Sequence, residues 1–183
     1  EDREARQVAF LKRFVVFNID QCEGLPEDYI APIVSPDPVL AIVEADALIT
    51  ASGARFNIGG GEAFYSPSHD FVQVPPQTAF HEPINWYRTA LHELGHWTGH
   101  SSRLDRDQKG GFGSEAYAKE ELVAEMASAF TCATLGIAPT VRHADYIASW
   151  LSVLQGDEKA IFRAASQASK ASDYLLAFSG DEP

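Results

Sequence analysis

His92 and His96 stand four residues apart, with Glu93 directly after the first, in the run His92-Glu93-Leu94-Gly95-His96. In a helix, residues i and i+4 lie about one turn apart on one face, so the two imidazoles can hold a single divalent ion. Glu93 sits one step around the helix, where it reaches a metal-bound water rather than the metal. A metal there lowers the pKa of water towards ~7, and the carboxylate takes the proton. H-E-x-x-H is therefore the spacing of zinc-dependent hydrolysis. Two scarce tryptophans, Trp86 and Trp97, flank it with Ala90 and Leu94 at helical spacing. A solvated surface helix would need neither the tryptophans nor the paired histidines.

A catalytic zinc ion takes three protein ligands and keeps one position open. The extended pattern H-E-x-x-H-x-x-G-x-x-H is not met: Gly99 is in place, but Ser102 stands where a third histidine would be. The single methionine, Met126, lies in a helical stretch, so there is no Met-turn. A later helix supplies the alternative. Ser114 is a good N-cap, Glu115 suits the first turn, no Gly or Pro interrupts the run to Phe130, and Gly136 ends it. Glu121 and Glu125 share a face there. Two carboxylates aimed at one buried place need a positive partner, which a metal and an imidazole N–H would supply. Glu121 is thus the expected third ligand and Glu125 the carboxylate that orients a ligand imidazole, with Glu125 as ligand the alternative. Glu115 and Glu120 fit a solvated acidic face. His100 lines up with the ligands only if the helix outruns Gly99; its plainer role is a cation at a helix C-terminus. With Tyr65, Tyr87 and Tyr117 it is a candidate donor to a transition-state oxyanion. His69, His81 and His143 lack partners at ligand spacing.

The elements that must position these residues run strands first, then helices. Residues 14–18 have strand character, a Pro-rich connection spans 26–38, and 39–51 have helical spacing. Three short strand-like runs follow, 54–58, 62–66 and 71–74, separated by Gly59-Gly60-Gly61 and residues 67–70, the layout of a small antiparallel sheet. The run 71–74, last before the histidine helix, is the edge by sequence order, able to add an extended peptide, or else an ordinary core strand. Pro83 suits the first helical turn. Everything after Ile84 is helical apart from a loop at 100–113.

The 183 residues suit one domain, 1–183, with an N-terminal arm (1–13) and a helical tail (139–178). A 45% apolar fraction and eleven phenylalanines are ample for a core, and no apolar run approaches the ~20 residues of a membrane span. Cys22 and Cys132 form no disulfide framework; with no signal-peptide pattern, the cytoplasm is the expected compartment. The chain starts at Glu1 without Met, as a fragment or processed product would. Fourteen Lys+Arg against 26 Asp+Glu give a net charge of −12, which argues against a nucleic-acid-binding surface. The one basic stretch past the first 13 residues, Arg103, Arg106 and Lys109, fits a loop better than a phosphate site.

Four stretches carry a family resemblance: residues 17–21, 65–76, 92–104 (with His100 and the Ser102-Arg103-Leu104 run) and 120–125. Together they resemble the C-terminal zincin-like metallopeptidase domain of the ArdC-type antirestriction family, over about residues 14–136. The resemblance implies an α+β zincin-like fold, with a small antiparallel-type sheet followed by the active-site helix and C-terminal helices. It implies that His92, His96 and the Glu121/Glu125 pair serve the metal, with Glu93 the catalytic carboxylate. Zn²⁺ is the expected cofactor, with Mn²⁺ and Co²⁺ not distinguished by ligand type. It also implies a bacterial protein of conjugative plasmids and mobile elements, which protects incoming DNA from restriction. The family's N-terminal single-stranded-DNA-binding domain is absent from this chain, so DNA contact is expected only through that part; the partner here is a protein or peptide substrate, and no membrane. The expected activity is a zinc-dependent metallopeptidase, gluzincin-like in ligand set. The alternative is a non-enzymatic module, an acidic DNA mimic or a structural zinc domain.

Overall fold

A computed structural model describes residues 22–24, 42–111, 113–138, 147–157 and 159–179. The chain divides into two units, 1–35 and 36–183, and the architecture below belongs to the second. The arm (1–13), the strand expected at 14–18 and the start of the tail (139–146) lie outside the described residues.

The element order is α1 (Val43–Ala51), β1 (Arg55–Ile58), β2 (Phe64–Ser66), β3 (Phe71–Val74), α2 (Ile84–Trp97), α3 (Glu115–Thr134), α4 (Ile147–Gly156) and α5 (Ala160–Leu176). The α+β class and the small sheet are as expected, but the sheet is mixed and its order is β1-β3-β2. β1 lies parallel to β3, pairing Arg55 with Phe71 and Ile58 with Val74. β2 returns antiparallel, pairing Phe64 with Gln73 and Ser66 with Phe71. The strand expected at the edge, 71–74, is therefore central. Its alternation explains why: Val72 and Val74 are fully buried while Phe71 and Gln73 are half-buried, and a strand buried along one face is best held by neighbours on both sides. The edge strand that shares a cleft with His92 and His96 is β2.

α2 is the centre of the molecule. Tyr87, Ala90, Leu91, Leu94 and Trp97 join Val72, Val74, Leu48 and Leu175 in the main core. The apolar stripe expected from Trp86, Ala90, Leu94 and Trp97 is present, though Trp86 is half-buried and donates its indole N–H to the Pro75 carbonyl at 3.0 Å. The opposite face of α2 lies against α3, so His92 and Glu93 are buried as well. α3 begins at Ser114, whose hydroxyl accepts from the Tyr117 N–H at 3.1 Å, satisfying one of the orphan donors of the first turn. Buried Ala164, Ala168 and Ala171 on α5 let it lie close to α3, and Thr131 donates to Ser172 across that seam. Cys132 is core, as expected. No helix among the described residues is long and apolar enough to cross a membrane.

Candidate metal centre

Two helices in close contact build the site. α2 presents His92, Glu93 and His96, and α3 presents Glu120, Glu121 and Glu125. The contact is tight because Gly95 faces Ala124: a Cβ on Gly95 would lie 3.2 Å from both the Cα and the carbonyl oxygen of Ala124. Lacking a side chain there, α2 comes near enough for its histidines to meet the carboxylates of α3.

The Nε2 atoms of His92 and His96 converge on the two oxygens of one carboxylate, at 3.5 Å (His92 to Glu121 Oε2) and 3.4 Å (His96 to Glu121 Oε1). The ligand atoms of these three residues all lie within 4.8 Å of one another. Bonds of ~2.0–2.1 Å in a tetrahedron place ligand atoms roughly 3.3–3.4 Å apart, so the observed spacing fits a divalent ion among the three. The second ring nitrogens are also engaged. His92 Nδ1 lies 3.1 Å from Glu125 Oε2, and His96 Nδ1 lies 3.2 Å from Glu120 Oε1. Carboxylates on Nδ1 fix each ring and turn Nε2 towards the shared point. Glu125 thus sits on an imidazole, at the atom turned away from Glu121.

Burial alone would lower the pKa of both histidines, but the carboxylates outweigh it. Glu121 and Glu125 raise His92 to about 9, and Glu120 and Glu121 raise His96 to about 10. Burial pushes the glutamates up, and the imidazoles reverse that: Glu120, helped by Arg106, is held down to about 2, and Glu121 is lowered as well. The carboxylates thus favour the protonated form of both imidazoles, and the imidazoles the ionised form of the carboxylates.

A cleft of about 330 Å³ opens onto these residues. Ala63, Phe64, Tyr65 and Pro67 from the β2 region line it, as do Gln108 and Gly110 from the loop and Ala116 and Tyr117 from α3. His92, Glu93, His96, Glu120 and Glu121 complete the lining. Of the four expected oxyanion donors, Tyr65 and Tyr117 line the cleft, whereas His100 and Tyr87 do not. The Tyr87 hydroxyl donates to Asp46 at 2.9 Å and accepts from the Ile42 N–H. His100 lies past the end of α2, its Nδ1 2.8 Å from Ser102 Oγ. The Tyr65 hydroxyl donates to Asp70 at 2.8 Å and accepts from Arg103; burial, then Asp70, raises its pKa.

Glu120 was not singled out by spacing, which assigned it to a solvated face beside Glu115. Glu115 is exposed and pairs with Lys119, but the Glu120 side chain is only 10% exposed. The basic stretch also turns inward. Arg106 forks onto Glu120 at 2.7 and 3.0 Å, and Arg103 stacks 3.9 Å over the Trp97 ring while pairing with Asp70. The available signal was that Arg103 and Arg106 lie in the loop that leads into a helix rich in carboxylates; which carboxylate each meets needs the fold.

A small sheet, a helix carrying two histidines and a second helix returning a glutamate define the zincin-like class. The chain belongs to the zincin-like metallopeptidase family MPTase-PolyVal, whose model matches residues 43–167. It is similar to two Escherichia coli proteins named DNA primase TraC, 48% identical over 166 residues and 47% over 167, each match taking in 89% of this chain. It is also 40% identical over 185 residues to protein y4eC of Sinorhizobium fredii. The chain spans only 15% and 11% of the primases and 59% of y4eC. Two crystal structures of the antirestriction protein ArdC from plasmid R388 share the fold. The Mn(II)-bound one matches at TM-score 0.72 and 38% identity, covering 91% of this chain and 62% of that one. The metal-free one matches at TM-score 0.70 and 40% identity, covering 90% and 59%. The resemblance to ArdC drawn from the motifs is borne out.

Proposed function

We propose that this domain is a metal-dependent peptidase within a bacterial antirestriction protein that protects incoming plasmid or mobile-element DNA. The observation that carries the reading is Glu93: it lines the cleft beside His92, His96 and Glu121, and a purely structural metal site has no use for a carboxylate there. Zn²⁺ is the proposed ion, held by His92, His96 and Glu121; the Mn(II)-bound ArdC makes Mn²⁺ the competitor to test. When bound, such an ion supplies Lewis acidity towards a carbonyl and makes water a stronger acid. Glu93 takes the proton of the attacking water and passes it to the leaving nitrogen. Glu125 and Glu120 hold the imidazoles through Nδ1. Tyr65 and Tyr117, which both line the cleft, are the candidates for the developing oxyanion.

A peptide is favoured over a phosphodiester because no Lys or Arg lines the cleft among the described residues, whereas three carboxylates, Glu93, Glu120 and Glu121, do and would repel a phosphate chain. The substrate is an extended, neutral or apolar segment laid along the β2 edge, where Phe64 is exposed. DNA contact belongs to the longer protein, and the compartment is the bacterial cytoplasm. Glu93→Gln is the test. It should keep metal and lose hydrolysis of casein or a quenched-peptide library; full hydrolysis in that variant refutes the reading. Protection against a restriction enzyme that survives both chelator and Glu93→Gln would favour instead the acidic-surface reading that the charge of −12 suggests.

A further inference from the structure

We propose that Glu120, with Arg106 as its counter-ion, is a positioning residue that couples ligation by His96 to the wall of the cleft formed by residues 105–111. The proposal rests on the metal-centre reading above. The two imidazoles are not backed alike. His92 has the Glu125 carboxylate, whereas His96 has a carboxylate caught between two loop side chains. Glu120 Oε1 lies 3.2 Å from His96 Nδ1, accepts from Arg106 Nη2 at 2.7 Å and accepts from Gln108 Nε2 at 3.1 Å. Oε2 accepts from Arg106 Nε at 3.0 Å.

The same two side chains also grip the backbone and end of α2. Arg106 donates to the Gly95 carbonyl and to Thr98 Oγ1, and Gln108 donates to the His96 carbonyl at 2.7 Å. They can do so because residue 99 is glycine: a Cβ there would lie 2.6 Å from Gln108 Nε2 and 2.8 Å from an Arg106 nitrogen. Gln108 and Gly110 then line the cleft. Both amide hydrogens of Gln108 are used on protein acceptors, which ties this part of the wall to His96 and Glu120. A buried charge pair shared between a metal ligand and a substrate wall makes each sensitive to the other. Tightening His96 onto a metal fixes Glu120, and Glu120 fixes the loop.

The test uses the full chain with Zn²⁺ as the probe. Affinity is measured by competition with a chelating dye for wild type, Arg106→Ala, Glu120→Gln and the double variant. Hydrogen exchange of amides 105–111 is followed with and without the ion. Each single variant should weaken binding about 10–100-fold, and the double variant should bind no more weakly than the worse single, because Arg106 acts through Glu120. Zn²⁺ should slow exchange over 105–111 in wild type and not in the variants. Variants that fold by circular dichroism yet bind within twofold of wild type overturn the proposal, as does exchange in wild type that ignores the ion. Should Arg106→Ala fail to fold, Glu120→Gln, which keeps the shape, decides alone. His92→Ala separates the two levels: if it leaves affinity unchanged, the metal-centre reading itself is wrong.

Discussion

Gly95→Ala tests the packing that brings the two helices of the site together. The added Cβ would stand 3.2 Å from the Cα and carbonyl oxygen of Ala124 and 3.5 Å from its Cβ, against an ordinary carbon contact of roughly 3.5–4.0 Å. The obstacles nearest to it are backbone atoms, so no rotamer relieves them and α2 and α3 must part by a few tenths of an ångström. Overpacking of this kind costs about 1–3 kcal/mol, and alanine returns about 1 kcal/mol of helix propensity. The net destabilisation is therefore about 0–2 kcal/mol, a fall in Tm of up to ~8 °C for a chain of this size. The site feels the shift more than the fold does. Ala124 lies between Glu121 and Glu125 on α3, and metal–ligand distances tolerate only about 0.2 Å. Metal affinity should fall about tenfold or more, which is ~1.4 kcal/mol. Thermal melts in EDTA give the first quantity and metal titration the second. Unchanged melting and affinity within twofold would show that the Gly95–Ala124 contact does not set the site.

Further predictions follow from charge. The folded pKa values of His92 and His96, about 9 and about 10, lie above the unfolded value near 6.5; their stabilisation is complete below that value and lost as pH rises through 9–10, so in EDTA the melting temperature should fall across pH 7–10. Over the same range metal affinity should rise, because binding must displace those protons; a melting temperature that climbs with pH in EDTA would contradict both. At the acid end, Glu120 at about 2 contributes stability above the unfolded carboxylate range and loses it as pH falls towards 2. Asp70→Asn leaves the buried Arg103 guanidinium with a neutral acceptor. Asp70 is 38% exposed and has positive φ, which Asn tolerates, so the cost is held to about 1–2 kcal/mol, read as a Tm loss of about 2–8 °C with metal affinity unchanged.

What was legible in the sequence is what depends on local spacing. His92 and His96 on one helix face, the Ser114 cap, the strand at 71–74 and the burial of Cys132 follow from periods of 3.6 and 2 and from capping chemistry. Glu121 was placed because it shares a face with Glu125. The order of the sheet was not legible, since strands of three and four residues carry no record of which neighbour they pair with. Glu120 was missed for a different reason. On an isolated helix it points about 100° away from Glu121, outside any single stripe. The close approach at Gly95 makes the α2–α3 interface wide enough for adjacent residues to enter it, and the cation that stabilises Glu120 comes from a loop.

The charges of the site set what must balance where the two helices meet. Glu93, Glu120, Glu121 and Glu125 bring four carboxylates to one region, and Arg106 answers one of them. Left so, the remaining repulsion in a buried setting would open the helices. The carboxylates raise the pKa of both imidazoles, so protons on the two rings would relieve it without metal, and a divalent ion held by neutral imidazoles would relieve it by the same two charges. Exchange of two protons for one divalent ion leaves the net charge untouched. On this argument the metal-free state would be a proton-bridged version of the same packing. It follows that metal binding at fixed pH should be accompanied by release of about two protons, measurable by calorimetry in buffers of different ionisation heat. Release of none would mean that the imidazoles are neutral in the metal-free state and that something other than protons holds the four carboxylates together.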